Sequence, residues 1–234
     1  MFKALPAVIG CLVLVAGCNQ QKVAEPKLDN EKNKASYTIG VQMGMQLAPQ
    51  KDELDMDSIM LGFNHAFNDS ELKMTQEDMQ TTMQSFQQTL MAKQQAKMKE
   101  AGDKNAKEGE AFLAENKNKE GVTTLDSGLQ YKVLKSGDGE SPTAEDTVVT
   151  HYRGTLVNGE EFDSSYKRGQ PVTFPVSGVI KGWTEALQKM KVGDKWELYV
   201  PPELAYGERG AGPKIGPNSV LVFEVELLDI KKDK

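Results

Sequence analysis

Cysteine and histidine are scarce: 234 residues contain two of each. Neither His65 nor His151 has a glutamate or cysteine at the spacing of a metal site, so both read as structural residues. No serine sits in a nucleophile-elbow setting, and the glycine-rich stretch from Gly207 to Gly216 is interrupted by proline, unlike a phosphate-cradling loop. Positive charge is also short. Lys and Arg number 28 against 34 Asp and Glu, a net charge of -6. That leaves no basic face able to neutralise several phosphates and excludes nucleic acid as a partner. Past the first twenty residues no apolar run approaches the about 20 residues that span a bilayer. An enzyme built from this inventory works without nucleophile, metal or cofactor.

What is present begins with a leader. Lys3 supplies a positive start, Leu5 to Gly17 is apolar with small residues toward its end, and polar Asn19, Gln20, Gln21 and Lys22 follow, the pattern of an export signal. The pentapeptide Leu14-Val15-Ala16-Gly17-Cys18 resembles a bacterial lipobox. That resemblance implies removal of residues 1–17 and lipidation of Cys18. Cys11 would be discarded and Cys18 acylated, so no thiol is left for a disulfide or a metal. Asn19 is not the aspartate associated with inner-membrane retention, so the expectation is a lipid anchor in the bacterial outer membrane facing the periplasm. A soluble periplasmic protein is the alternative. Residues 18–30 are polar, include Pro26, and read as a flexible tether.

Residues 31–118 read as helical. Ala35, Ile39, Met43 and Leu47 recur every fourth position and stop at Pro49. Asp57 or Asp55 can cap a second helix in which Ile59, Met60, Phe63 and Phe67 share a stripe, closed by Asn68-Asp69-Ser70. A third, long helix opens at Thr75 with Asp78 in capping-box position, and its apolar positions Met79, Met83, Phe86 and Leu90 recur at three- and four-residue steps. Gly102 and Gly109, each costing about 1 kcal/mol relative to alanine, predict a weakening or kink before Glu115. Stripes this narrow need a cover, and a second copy of the same region is the expected one. Packing on the C-terminal domain or a loose monomeric bundle are the alternatives. The many methionines, from Met43 to Met91, read as core packing ahead of a client-binding surface.

After Lys119 the texture turns to alternating β-branched residues with Gly, Pro and Asn turns. Leu129 to Leu134, Thr147 to Leu156, Trp196 to Val200 and Val220 to Ile230 read as strands, Asn158-Gly159 as a hairpin turn, and Trp183 to Met190 as a short helix. Residues 119–234 are therefore expected to form a mostly antiparallel sheet covered by one helix, α+β in class.

Several segments carry a resemblance. Val149-Thr150-His151-Tyr152-Arg153-Gly154-Thr155-Leu156, Gly159-Glu160-Glu161-Phe162-Asp163-Ser164-Ser165, Val179-Ile180-Lys181-Gly182-Trp183, Leu204-Ala205-Tyr206-Gly207 and Leu221-Val222-Phe223-Glu224-Val225-Glu226-Leu227 are similar, in order and spacing, to the signature of FKBP-type peptidyl-prolyl cis/trans isomerases. Ser36-Tyr37-Thr38-Ile39-Gly40 and Gly109-Glu110-Ala111-Phe112-Leu113 resemble the macrophage-infectivity-potentiator and FkpA branch. The resemblance implies an antiparallel half-barrel wrapped around a short helix, with an N-terminal helical dimer and a long linking helix.

It also implies a cofactor-free isomerase acting on proline-containing unfolded or exported proteins and bound by the family's macrolide inhibitors, or a dimeric chaperone with incidental turnover. Carried over by motif position, Asp163 and Tyr206 are the catalytic candidates. Tyr152, Phe162, Phe174, Val179, Ile180, Trp183, Ile215 and Phe223 would bind substrate, with Trp183 as the floor and the Ile215 amide holding a substrate carbonyl. Asp163 has a second reading as a structural acceptor paired with Arg153. Val172 departs from the phenylalanine common in the family and would open that edge of the pocket.

Overall fold

The computed structural model describes residues 25–231, so the leader and Cys18 lie outside the described residues, and the chain divides between Thr75 and Gln76 into two units. In the first, α1 (Glu31–Leu47) starts where the Asn30 side chain accepts the Asn33 amide at 2.9 Å. A 3-10 turn over Ala48–Glu53 carries Pro49 and ends the helix. Asp55, not Asp57, caps α2 (Met56–Phe67), accepting the Ser58 amide at 2.8 Å. Phe63 and Phe67 stack at 5.4 Å on one face of α2. No residue of either helix is fully buried, so their apolar stripes are left largely uncovered among the described residues.

The second unit opens with α3 (Gln76–Asn116), which runs unbroken through both glycines and corrects the expected kink. The reason is close packing. A Cβ on Gly109 would stand 2.6 Å from Val220 Cγ2, and one on Gly102 would stand 3.1 Å from Pro217 Cβ. Glycine here admits the neighbouring chain, and the contact offsets the propensity cost.

The sheet that follows comprises β1 (Val122–Thr124), β2 (Gln130–Lys135), β3 (Thr147–Leu156), β4 (Glu161–Ser164), β5 (Val172–Pro175), β6 (Lys195–Val200) and β7 (Leu221–Lys231), all pairings antiparallel. Its order is β1-β2-β6-β7-β3-β4, with β5 also on β3. Both β4 and β5 lie along the β3 edge not taken by β7: β5 covers Thr147 to Thr150 and β4 covers Arg153 to Thr155. The turn from β3 to β4 uses Gly159 at φ +84°, with Glu160 O accepting the Leu156 amide at 2.9 Å.

Between β4 and β5 comes the single turn α4 (Ser165–Arg168), and after β5 comes α5 (Lys181–Leu187). Trp183, Ala186, Leu187 and the following Met190 repeat at helical spacing and are buried together with Leu198, Leu221, Val225 and Leu227 of the sheet. Each such large side chain contributes about 1.5–3 kcal/mol on burial. Alternate residues of β7 from Leu221 to Leu227 face this core, the period of a half-covered antiparallel strand.

Candidate active site

The floor of the site is Trp183, in the first turn of α5 and 4% exposed. Three rings stand on edge to it: Tyr152 at 5.2 Å and 87°, Phe223 at 5.3 Å and 82°, and Phe174 at 5.9 Å and 84°. Edge-to-face pairs of this kind match the ring quadrupoles and hold the walls in fixed orientation. The indole N–H of Trp183 is buried with no acceptor among the described residues. Phe162 extends the wall by standing on edge to Phe223 at 5.5 Å.

Two local devices bring these rings together. The register of β3 against β4 slips between Gly154 opposite Asp163 and Thr155 opposite Glu161, which leaves Phe162 as an extra residue. That bulge lets Phe162 and Asp163, adjacent in sequence, both line one pocket, where a regular strand would turn them to opposite faces. Gly154 meets the rings from below. A Cβ there would lie 2.6 Å from Phe162 and 2.9 Å from Phe223.

The resulting pocket has a volume of about 930 Å³. It gathers Tyr152, Phe162, Asp163, Phe174, Val179, Ile180, Trp183, Tyr206, Ile215 and Phe223, all the substrate-binding and catalytic candidates read from sequence. Val172 is not among the lining residues; it packs against the core. The lid side is the loop after β6, where Ala211 and Ile215 exchange backbone hydrogen bonds of 2.8 and 3.2 Å. The Ile215 amide is thereby committed to Ala211. The amide of Ile180, which precedes α5 and lines the same pocket, has no acceptor among the described residues.

At the rim, Tyr152 Oη donates to Asp163 Oδ2 at 2.5 Å, and Arg168 Nη2 donates to Tyr152 Oη at 2.8 Å. A further bond and ion pair join Arg168 Nη1 to Asp163 Oδ1. Arg168 is delivered by α4, which ends at Gly169 with φ 72°, and its guanidinium lies 5.5 Å over the Tyr152 ring. Burial of the Asp163 carboxyl works to raise its pKa. The hydrogen bonds from Tyr152 and Arg168, with the charge of Arg168, outweigh burial and hold it below the ordinary carboxylate value. Burial and then the Asp163 bond push the Tyr152 hydroxyl up, so it stays a donor. Arg153 pairs with Glu161 at 3.0 Å, so in the alternative reading of Asp163 as a structural acceptor the partner is Arg168 in place of Arg153.

Residues 138–228 match the family described as FKBP-type peptidyl-prolyl cis-trans isomerase, and residues 32–133 match the domain amino terminal to it. The peptidyl-prolyl cis-trans isomerase Mip of Coxiella burnetii is 49% identical over 209 residues, which cover 89% of this chain and 91% of that protein. The chain belongs to the FKBP-type peptidyl-prolyl cis-trans isomerases. The outer membrane protein MIP of Legionella longbeachae is 43% identical, covering 88% of each chain. The crystal structure of FkpA from Escherichia coli superposes with a TM-score of 0.70 at 40% identity, over 88% of this chain and 99% of that one. The protein is thus an isomerase of X-Pro bonds that assists folding, with the helical region, long helix and antiparallel domain of that family.

Arg168 of this FKBP pocket rim was not among the candidates read from sequence. Its only signal was the short Ser164-to-Gly169 segment, where a serine cap and a terminal glycine mark one helical turn. His151 and His65 take no part in the pocket. His151 stacks on Tyr166 at 4.7 Å and its Nδ1 lies 2.9 Å from Ser165 Oγ, whose hydroxyl also bonds the Tyr152 backbone.

Proposed function

We propose that the pocket binds the pyrrolidine ring of an X-Pro segment over Trp183 and stabilises the twisted amide of the transition state. The barrier of about 18–20 kcal/mol exists because rotation destroys amide resonance, and resonance also gives the planar amide its large dipole. Water favours that dipole. A dry aromatic box withdraws the preference and lowers the relative energy of the twisted form. The observation that carries this reading is the box itself, with Tyr152, Phe174 and Phe223 edge-on to a buried Trp183. No base or nucleophile is required, in keeping with the lining.

Polar help would come from the rim. The free Ile180 amide is suited to hold a substrate carbonyl, a role its neighbour across the pocket, Ile215, surrenders to Ala211. Tyr206, 42% exposed at the mouth with no hydroxyl partner among the described residues, is available for a second carbonyl. Asp163, its pKa held down by the hydrogen bonds from Tyr152 and Arg168, fixes the Tyr152 ring and would face the distorted amide. A protease-coupled assay on a prolyl tetrapeptide, with and without a macrolide ligand of the family, tests the pocket. Catalysis abolished by Trp183→Ala and by the macrolide is expected; catalysis insensitive to both would overturn it.

The clients would be exported proteins, held near the membrane by a lipid on Cys18. The lipobox-like pentapeptide and the outer-membrane name of the Legionella relative support this placement. No helix among the described residues is long and apolar enough to cross a membrane. A second reading, a dimeric chaperone clamp, is favoured by one observation: Phe67 is 74% exposed and Met45 71% exposed on helices none of whose residues is fully buried among the described residues. Pairing of residues 31–118 between two copies would cover that surface and set two pockets on one dimer.

A further inference from the structure

The second half of α3 makes a set of contacts that the pocket reading leaves unexplained. Gly102, Asn105, Gly109, Phe112 and Asn116 recur at three- and four-residue steps, so they form one helical stripe. Its upper part sits on the stem of the loop that roofs the pocket. Asn105 Nδ2 donates to Pro217 O at 2.9 Å and to Ser219 Oγ at 3.3 Å. In return Asn218 Nδ2 donates to Gly102 O at 3.4 Å. Ser219 Oγ donates to Gly216 O at 2.9 Å, and the Asn218 amide, from a left-handed φ of 55°, closes the base of the loop on Gly207 O at 2.9 Å. The tip, by contrast, is held by the Ala211 and Ile215 pair and by Lys214 Nζ on Glu161 O at 3.2 Å, an exposed contact. The loop carries Tyr206, Ala211, Lys214 and Ile215 into the pocket wall.

We propose that this half of α3 belongs to the isomerase site, and that Asn105 is a positioning residue that fixes the stem at Pro217 to Ser219 and so the height of the roof loop over the bound proline. The inference presupposes that X-Pro occupies the aromatic pocket. A carbonyl acceptor such as Pro217 O is satisfied here by a side chain from another element, so loss of that donor loosens the stem on the helix without touching any lining residue. The two glycines keep the helix close enough for the amide to reach, which explains why small and polar residues occupy the upper part of this face, with Phe112 packing on Tyr199 only further along it.

The test uses the full-length chain with Asn105→Ala, Asn105→Asp and Gly109→Ala, and reads kcat/KM for a prolyl peptide per folded molecule, well below the melting temperature. Expected is a loss of about fivefold or more, within the about 10²-fold that a 1 Å misplacement can cause. The affinity of a macrolide pocket ligand should weaken in parallel, while Lys107→Ala, on the exposed face of the same helix, changes neither. Asn105→Asp keeps the shape and removes the donor, so it carries the test should the alanine variant fold poorly. Unchanged kcat/KM with a lowered melting temperature would overturn the proposal and leave Asn105 as a purely structural contact. A parent enzyme insensitive to the macrolide would instead count against the pocket reading.

Discussion

At the scale of single residues, Asp163 separates chemistry from support. Its carboxylate is bonded by Tyr152 and Arg168 and accepts the Ser164 amide at 2.8 Å, yet it lies at a rim open to solvent. Asp163→Leu is expected to lower kcat/KM by more than tenfold while shifting the melting temperature by only a few degrees, measured by peptide assay and calorimetry. Equal losses would return it to a structural role. The pH dependence has a definite sign. A carboxyl whose folded pKa is depressed contributes stability that is complete above its unfolded value of about 3.9 and is lost as pH falls through the folded value. With the Tyr152 hydroxyl pushed up, neither group titrates near neutrality, so the pH profile of kcat/KM should be flat between about pH 5 and 9. A bell-shaped profile in that window would count against catalysis by desolvation and bring in acid–base chemistry.

At the scale of elements, strand and helix identity was legible where one period dominated. Thr147 to Leu156 forms β3 with the expected ends, and Trp183 and Leu187 mark the covering helix, which stops at Leu187, short of the expected Met190. The short edge pieces β1, β4 and β5 were not legible, because three or four residues cannot display a period. The α3 stripe was misread for a different reason. Gly102, Asn105, Gly109 and Asn116 pack through close backbone approach and hydrogen bonds, and a search for apolar spacing passes over them. Asn116 is the clearest instance: 1% exposed, it donates to Gln130 Oε1 at 3.0 Å, and Gln130 Nε2 in turn donates to Leu113 O at 2.9 Å. Asn116→Ala strands a buried acceptor and should cost about 1–3 kcal/mol, read as a lower denaturant midpoint with unchanged slope.

At the scale of the whole molecule, the pocket residues were legible together because they fall within ordered motifs, whereas the partner of Asp163 depended on a strand bulge and on a one-turn helix signalled only by its serine cap and terminal glycine. The exposed faces of α1 and α2 carry the remaining expectation. Paired substitution Phe63→Asp with Phe67→Asp should convert a dimer to a monomer in sedimentation, keep turnover of a short peptide, and slow refolding of a proline-limited protein. Loss of peptide turnover as well would mean that the pocket depends on assembly. The glycine and asparagine face of α3 has one more consequence, for how such proteins can be recombined. The natural graft point between arm and catalytic head lies within the helix, ahead of Gly102, and not at the turn after Asn116. A chimaera spliced at the turn would give the head a foreign docking face, whereas one spliced mid-helix would exchange the preceding helices and leave each head with its own docking surface.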